Sequence, residues 1–250
     1  RASGGEGSAE EGAVPGRGPP LFRRPLRRGR FGASFPASGA RHRGLGMAVF
    51  DHLAIAALTL DDAATIEAAL GVPLAPGGQH AAMGTHNRLL SLGPGEYLEV
   101  IAIDPAAPGP GRPRWFALDT FDGPPAPRAW ILRCDDLAAV LAMAPARTGT
   151  PMAFRRDALH WQMAVPDSGL LPFDGVFPAL IEWGAGVAHP AGRLPDHGVR
   201  LAGLTLRHPQ PDALHAALQG LVDDPRLRIV AGSPGIEAAF DTPRGRRVLA

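Results

Sequence analysis

From Met47 onward, apolar and polar positions alternate in a pattern that recurs along the chain. In AVFDHLAIA, Val49, Leu53 and Ile55 alternate with Phe50, His52 and Ala54, the period-two signature of a strand. Thr59 and Asp61 offer capping side chains for a short helix in DDAATIEAAL, which Gly71 and Pro73 terminate. HNRLLSLG and, after the turn Gly93-Pro94-Gly95, EYLEVIAI read as two further strands, with an extra strand around residues 79–83. The unit is therefore β-α-β-β with room for one more strand.

The same order returns at a comparable spacing. RAWILRC predicts a strand, DDLAAVLAM a helix, and MAFRR, LHWQMAV and PALIEWG three strands. Val199 opens a third, partial copy: VRLAGLTLRH, a helix in PDALHAALQGLV, LRIVAG, and a last strand pair in IEAAFDTPRGRRVL. Pro113, Pro124, Pro125 and Pro127 mark the first linker and residues 184–198 the second. The expected organisation is a domain over residues 47–198, made of modules 47–112 and 126–190, with residues 199–250 packed on it as a partial βαββ unit.

Residues 1–46 break this pattern. They carry nine Arg against three Glu and are dense in Gly and Pro, whereas the rest of the chain carries sixteen Arg against 21 acids. Such a segment is expected to be disordered. The break at Met47 favours a misassigned translation start over a nucleic-acid arm, a transit peptide or a plain flexible tail. All 25 basic residues are Arg, which reads as coding bias and weakens any nucleic-acid inference; no nucleic-acid partner is expected. No apolar run approaches the roughly 18 residues of a membrane span, so a cytoplasmic protein without membrane contact is the default expectation. Cys134 is the only cysteine, which rules out an intramolecular disulfide and an all-cysteine metal site. It precedes two acids, which oppose a nucleophilic thiolate. A GxSxG elbow and a phosphate-loop lysine are both missing from the sequence.

Glu99 in YLEVIAI and Glu182 in ALIEWG each set an ionisable group inside an apolar strand at the end of its own repeat. A carboxylate in that setting needs a cation, a donor cluster or protonation, unless its strand is an edge that faces water. His52 shares an uncrowded strand face with Ala54 and Ala56. GGQHAAMGTHN presents His80, Thr85, His86 and Asn87 around a tight backbone. There His80 and Asn87 are candidates to orient a substrate oxygen, and a turn held by Asn bonds is the plainer alternative. In LHWQMAV, His160 and Gln162 share one face and Trp161 takes the other; Trp183 lies opposite Glu182. His189, His197 and His208 sit beside turn residues and receive no role.

FDHLAIA, GGQHAAMGTHNRLLSLG and YLEVIAID, followed by LPFDGVFPALIEWG and AHP, resemble the two modules of glyoxalase-like proteins in the vicinal oxygen chelate superfamily. The resemblance implies an α+β fold of tandem βαβββ modules curled into a half-barrel. It also implies a divalent metal (Zn, Ni, Mn, Fe or Co) held by His52, Glu99 and Glu182, with Glu182 as the mobile catalytic base. The fourth ligand position of that family falls at Trp130 or Leu132, so the usual set is incomplete. A three-ligand site, a replacement ligand from His80, His86 or His160, and a metal-free pocket all stay open. Substrate contacts are expected from His80, Asn87, His160 and Trp130. The implied activity is lyase or isomerase chemistry on a small molecule with vicinal oxygens, with a metal-free binding module as the alternative. The resemblance further allows a homodimer.

Overall fold

The structure is a computed structural model, and it describes residues 48–250. Expectations for residues 1–46 fall outside the described residues.

The first module runs β1 (Val49–Ala56), α1 (Ala63–Leu70), β2 (Ala75–His80), β3 (Thr85–Gly93) and β4 (Glu96–Ile103). The second runs β5 (Ala126–Arg133), α2 (Leu137–Leu141), β6 (Thr150–Arg156), β7 (Leu159–Val165) and β8 (Ala179–Trp183). Their eight strands form one sheet in the order β2-β3-β4-β1-β5-β8-β7-β6, in which each module's first strand pairs in parallel with its last and β1 meets β5 antiparallel. The order reads the same from either end, as expected for duplicated modules joined along their first strands. This is the α+β half-barrel that the duplicated pattern and the resemblance imply. The additional strand of module one is β2, centred a few residues earlier than 79–83.

Local chemistry sets the helix ends. The Asp62 carboxylate accepts from both the backbone N–H and the hydroxyl of Thr59, and Gly71 closes α1 in the left-handed conformation at φ 74°. At α2, the Asp136 side chain accepts from the Ala139 N–H.

The C-terminal stretch adds β9 (Arg200–His208), α3 (Pro211–Leu218), β10 (Leu227–Ala231), β11 (Gly235–Thr242) and β12 (Gly245–Leu249). These strands form a second sheet, β10-β9-β11-β12. Here the first strand pairs in parallel with the second, unlike the modules, where it pairs with the last. The unit resembles a module in its element order but not in its pairing.

Two apolar clusters separate the faces of the large sheet. On the outer face Leu53, Ile55, Trp130, Leu132 and Leu180 pack with Ile66 and Leu70 of α1, Leu137 and Val140 of α2, and Leu204, Leu214 and Phe240 of the C-terminal unit. On the inner face Ala54, Ala56, Ile101, Ile131, Trp161, Met163 and Ile181 pack with Trp115 and Phe116 from the linker between modules. Phe50 joins the outer cluster, although alternation from His52 places it inside. The register against β5 shifts between Phe50 and His52, so Asp51 is the extra residue of a β-bulge that reverses the strand's phase. Arg226 ties the two sheets together through Glu96 and Asp224 and lies over the Phe50 ring, 5.3 Å from its centroid.

Candidate functional site

The inner face forms a narrow cleft between the two modules. Module one supplies its polar wall: His52 from β1, His80 from the end of β2, Asn87 from β3, and Tyr97 and Glu99 from β4. Module two supplies Trp161, Met163, Ile181 and Trp183 as an apolar wall, with Arg156 at the end of β6; Leu89 of β3 and Trp115 and Phe116 of the linker complete the lining. The cleft is thus polar on one side and aromatic on the other. Phe116 and Ala117 hold positive φ values of 58° and 51°, a left-handed backbone that costs about 1–3 kcal/mol per non-glycine residue. The bonds from Arg128 Nε to the Phe116 carbonyl and from Ala117 N–H to the Gly169 carbonyl help hold this wall in place.

A continuous polar chain runs along the module-one wall. Asp51, His52 and Glu99 are exposed by only 0%, 3% and 5%. His52 Nδ1 lies 2.6 Å from Asp51 Oδ1, and His52 Nε2 faces Glu99 Oε1 at 3.5 Å. The other Asp51 oxygen accepts from Trp183 Nε1 at 3.1 Å, pairs with His189 Nε2 at 2.9 Å and meets Arg133 at 3.5 Å. Glu99 Oε2 accepts from Asn87 Nδ2 at 2.7 Å. The Asn87 oxygen in turn accepts from the Gly78 N–H at 2.9 Å and from Arg156 at 3.4 Å. Arg156 also donates to His80 Nε2 at 3.0 Å, which fixes that nitrogen as an acceptor and leaves Nδ1–H for the Thr85 hydroxyl at 3.1 Å.

The paired glycines of GGQH make this chain possible. A Cβ on Gly77 would lie 2.0 Å from the Asn87 side-chain oxygen, and one on Gly78 would lie 2.7 Å from Arg156 Cδ. Only bare backbone lets Asn87 tuck under β2 and the Arg156 stem pass across it.

These contacts set the charges. Burial alone would depress the His52 pKa, but its bonds to Asp51 and Glu99 outweigh burial and raise it to about 9. Burial likewise opposes the charged forms of Asp51 and Glu99. The bonds from His189 and His52 hold Asp51 well below the usual carboxylate range, and the bond from His52 lowers Glu99. His80 is pushed down to about 4 by burial, with the Arg156 cation adding to the effect. At neutral pH the wall therefore holds a buried imidazolium between two carboxylates, next to a neutral imidazole.

The expected site residues divide between the two faces. His52, His80, Asn87 and Glu99 meet in the cleft. Glu182 does not: it pairs with Gln162 across β7 and β8, and its carboxylate accepts from the Leu137 N–H at 2.8 Å at the start of α2. His160 lies on that same outer face beside Glu182 and Gln162. Trp130 is buried in the outer core, where its indole N–H donates to the Val176 carbonyl at 2.8 Å. The reason is strand phase, because each neighbour of a pocket-facing residue points the other way. Ala129 and Ile131 of β5 and Ala179, Ile181 and Trp183 of β8 point inward, and none is a metal donor.

A divalent ion on His52, Glu99 and Glu182 does not fit this arrangement. The third carboxylate is on the far side of the sheet, the open nitrogen of His80 faces a guanidinium, and among the described residues no group of three or more His, Cys, Asp or Glu side chains converges as ligands. His86, from β3, lies outside the cleft lining. Among the described residues no helix is long and apolar enough to cross a membrane.

Several residues of the site carry no sequence signal of their own. Asp51 becomes central through a bulge, Arg156 arrives through the curl of the sheet, and Tyr97 stacks on His52 with ring centroids 4.3 Å apart. The adjacency of Asp51 to His52 was the one available clue.

Among solved structures, a hypothetical protein from Staphylococcus aureus superposes with a TM-score of 0.54 at 14% identity, over 76% of this chain and 88% of that chain. A methylmalonyl-CoA epimerase in complex with methylmalonyl-CoA and NH4+ matches at 16% identity over 58% of this chain and 99% of its own, with a TM-score of 0.37. A Streptomyces coelicolor methylmalonyl-CoA epimerase variant in complex with 2-nitronate-propionyl-CoA gives 15%, 54%, 97% and 0.36. A search of curated proteins finds no match. The model of the Glyoxalase-like domain family matches residues 50–222, well over half of the sequence, and the chain belongs to that family.

Proposed function

We propose that the cleft is the active site of a small-molecule isomerase or lyase that moves a proton beside a carbonyl, with Glu99 as base and His52 as acid. What carries the reading is the buried Asp51–His52–Glu99 row opening onto an aromatic wall. The 3.5 Å separation of His52 Nε2 from Glu99 Oε1 is long for a hydrogen bond, so both atoms can turn to a substrate lying between them and the aromatic side.

The step balances without a further reactant. Glu99 Oε1 takes the proton from carbon, the electron pair moves onto the carbonyl oxygen, and His52 gives that oxygen its Nε2 proton. An enol, which is an enediol where the reacting carbon bears a hydroxyl, a neutral His52 and a protonated Glu99 result. From an enediol, return of the proton to the neighbouring carbon isomerises the substrate; from an enol, return to the opposite face of the same carbon epimerises it; and loss of a β-leaving group with its electron pair gives lyase chemistry. Asp51 holds the imidazole oriented throughout, as a carboxylate behind a catalytic histidine does.

The aromatic wall alone also suits a module that binds without reacting. Deuterium uptake separates the two readings. The protein is incubated in D2O with a panel of 2-oxo acids and hydroxyketones and followed by proton NMR. Catalysed exchange at the carbon beside the carbonyl is expected for at least one compound. Binding by the panel with no exchange above buffer rate refutes the catalytic reading.

A further inference from the structure

The proton-transfer reading leaves two groups of the cleft without a task. Arg156 is half-buried, yet its partners are neutral: the His80 ring nitrogen and the Asn87 amide oxygen, with no carboxylate among the described residues paired to it. Its stem is accommodated by Gly78, where a side chain would collide with it. Trp115 is buried against the cleft, and its indole N–H has no hydrogen-bond partner among the described residues. A guanidinium fixed by neutral acceptors keeps its charge available for an incoming anion, and a buried N–H without a partner costs about 1–3 kcal/mol until one arrives. The other charges on the cleft are matched, because His52 stands between Asp51 and Glu99 and Asp51 is further shared with His189 and Arg133.

Resting on the reading that this cleft binds the substrate, we propose that the substrate is a monocarboxylate with an apolar or aromatic body. Its carboxylate is held by Arg156 and the Trp115 indole N–H, and its body lies against Trp161, Met163 and Trp183. The class follows from the division of the walls. One cation and one neutral donor suit a single small anion, and the opposite wall offers aromatic and thioether surface.

Isothermal titration calorimetry on the full chain tests this with phenylacetate, its uncharged counterpart phenylacetamide, and acetate. Phenylacetate is expected to bind at least about tenfold more tightly than phenylacetamide, since a hydrogen bond to a charged group outweighs one to a neutral group by that order, and at least about tenfold more tightly than acetate, which lacks the ring to bury against the aromatic wall. Arg156→Gln should remove the advantage over phenylacetamide, Arg156→Lys should keep part of it, and Trp115→Phe should weaken phenylacetate about fivefold. Equal binding of phenylacetate and phenylacetamide, undetectable phenylacetate binding at millimolar concentration, or wild-type affinity in Arg156→Gln overturns the proposal. If the Arg156 variants do not fold, the wild-type contrast and Trp115→Phe decide it. The two readings fail separately: carboxylate binding without deuterium exchange refutes only the proton transfer, and exchange confined to uncharged hydroxyketones refutes only the carboxylate.

Discussion

Replacing Asp51 by Asn keeps the shape of the side chain and removes its charge, which isolates what the buried carboxylate does for His52. The rise of the His52 pKa from its ordinary 6.5 to about 9 corresponds to roughly 3 kcal/mol of folding free energy. A histidine whose folded pKa is raised contributes its full stabilisation below pH 6.5 and loses it as pH climbs through 9. Wild-type stability should therefore fall by roughly 2 kcal/mol between pH 6 and pH 9, because His80, held down to about 4, works with the opposite sign and recovers about 1 kcal/mol between pH 6 and pH 7. Above pH 9 the buried Cys134 thiol, pushed up to about 12 chiefly by burial, adds a loss of the same sign, so pH 9 bounds the useful window. In Asp51→Asn the strongest support for the imidazolium is gone, burial dominates, and His189 and Arg133 lose a shared partner. The variant should be less stable by about 3–5 kcal/mol at pH 7, and its pH dependence between 6 and 9 should flatten. Urea unfolding at pH 6, 7.5 and 9, with the His52 ring titrated by NMR, reads both effects. A variant within 1 kcal/mol of wild type, or one with an unchanged slope, means that Asp51 does not hold the charge on His52.

Other consequences are separable from this one. Gly77→Ala should cost about 1–3 kcal/mol, read by thermal melting, because its Cβ would meet both the Asn87 side chain and the Asn87 carbonyl. Trp130→Phe should destabilise by about 1–3 kcal/mol through the unpaired Val176 carbonyl, with little change in ligand affinity by calorimetry. Deuterium exchange by the protein should survive dialysis against a chelator, because the pocket-facing residues do not assemble a ligand set; loss of exchange restored by one divalent ion would contradict this.

The fold was largely legible because the duplicated period-two pattern is a local property, and core-facing runs such as LHWQMAV state their phase plainly. Within the site, His52, His80, Asn87 and Glu99 were legible for the same reason, all lying in module one and close together along the chain. In ALIEWG the pattern is apolar at nearly every position, so nothing local says whether Ile181 and Trp183 or Glu182 faces the cleft. The choice depends on the register of β8 against β5 and β7, and a slip of one residue reverses it. The same ambiguity in RAWILR hides the fact that Ile131, rather than Trp130 or Leu132, faces the pocket. Arg156 was illegible for another reason: it reaches His80 across 76 positions of sequence, through the curl of a sheet whose curvature no short motif encodes.

Glu99 and Glu182, two carboxylates that the sequence presents as equivalents, differ in which face of the sheet they occupy, and only one of them can act in the cleft. Glu99→Gln and Glu182→Gln are assayed side by side for deuterium exchange with the best compound from the panel. Loss of about a hundredfold or more in Glu99→Gln with near wild-type exchange in Glu182→Gln is the predicted result, the size being typical of a general base. Exchange that survives in Glu99→Gln and disappears in Glu182→Gln would contradict the assignment of the cleft.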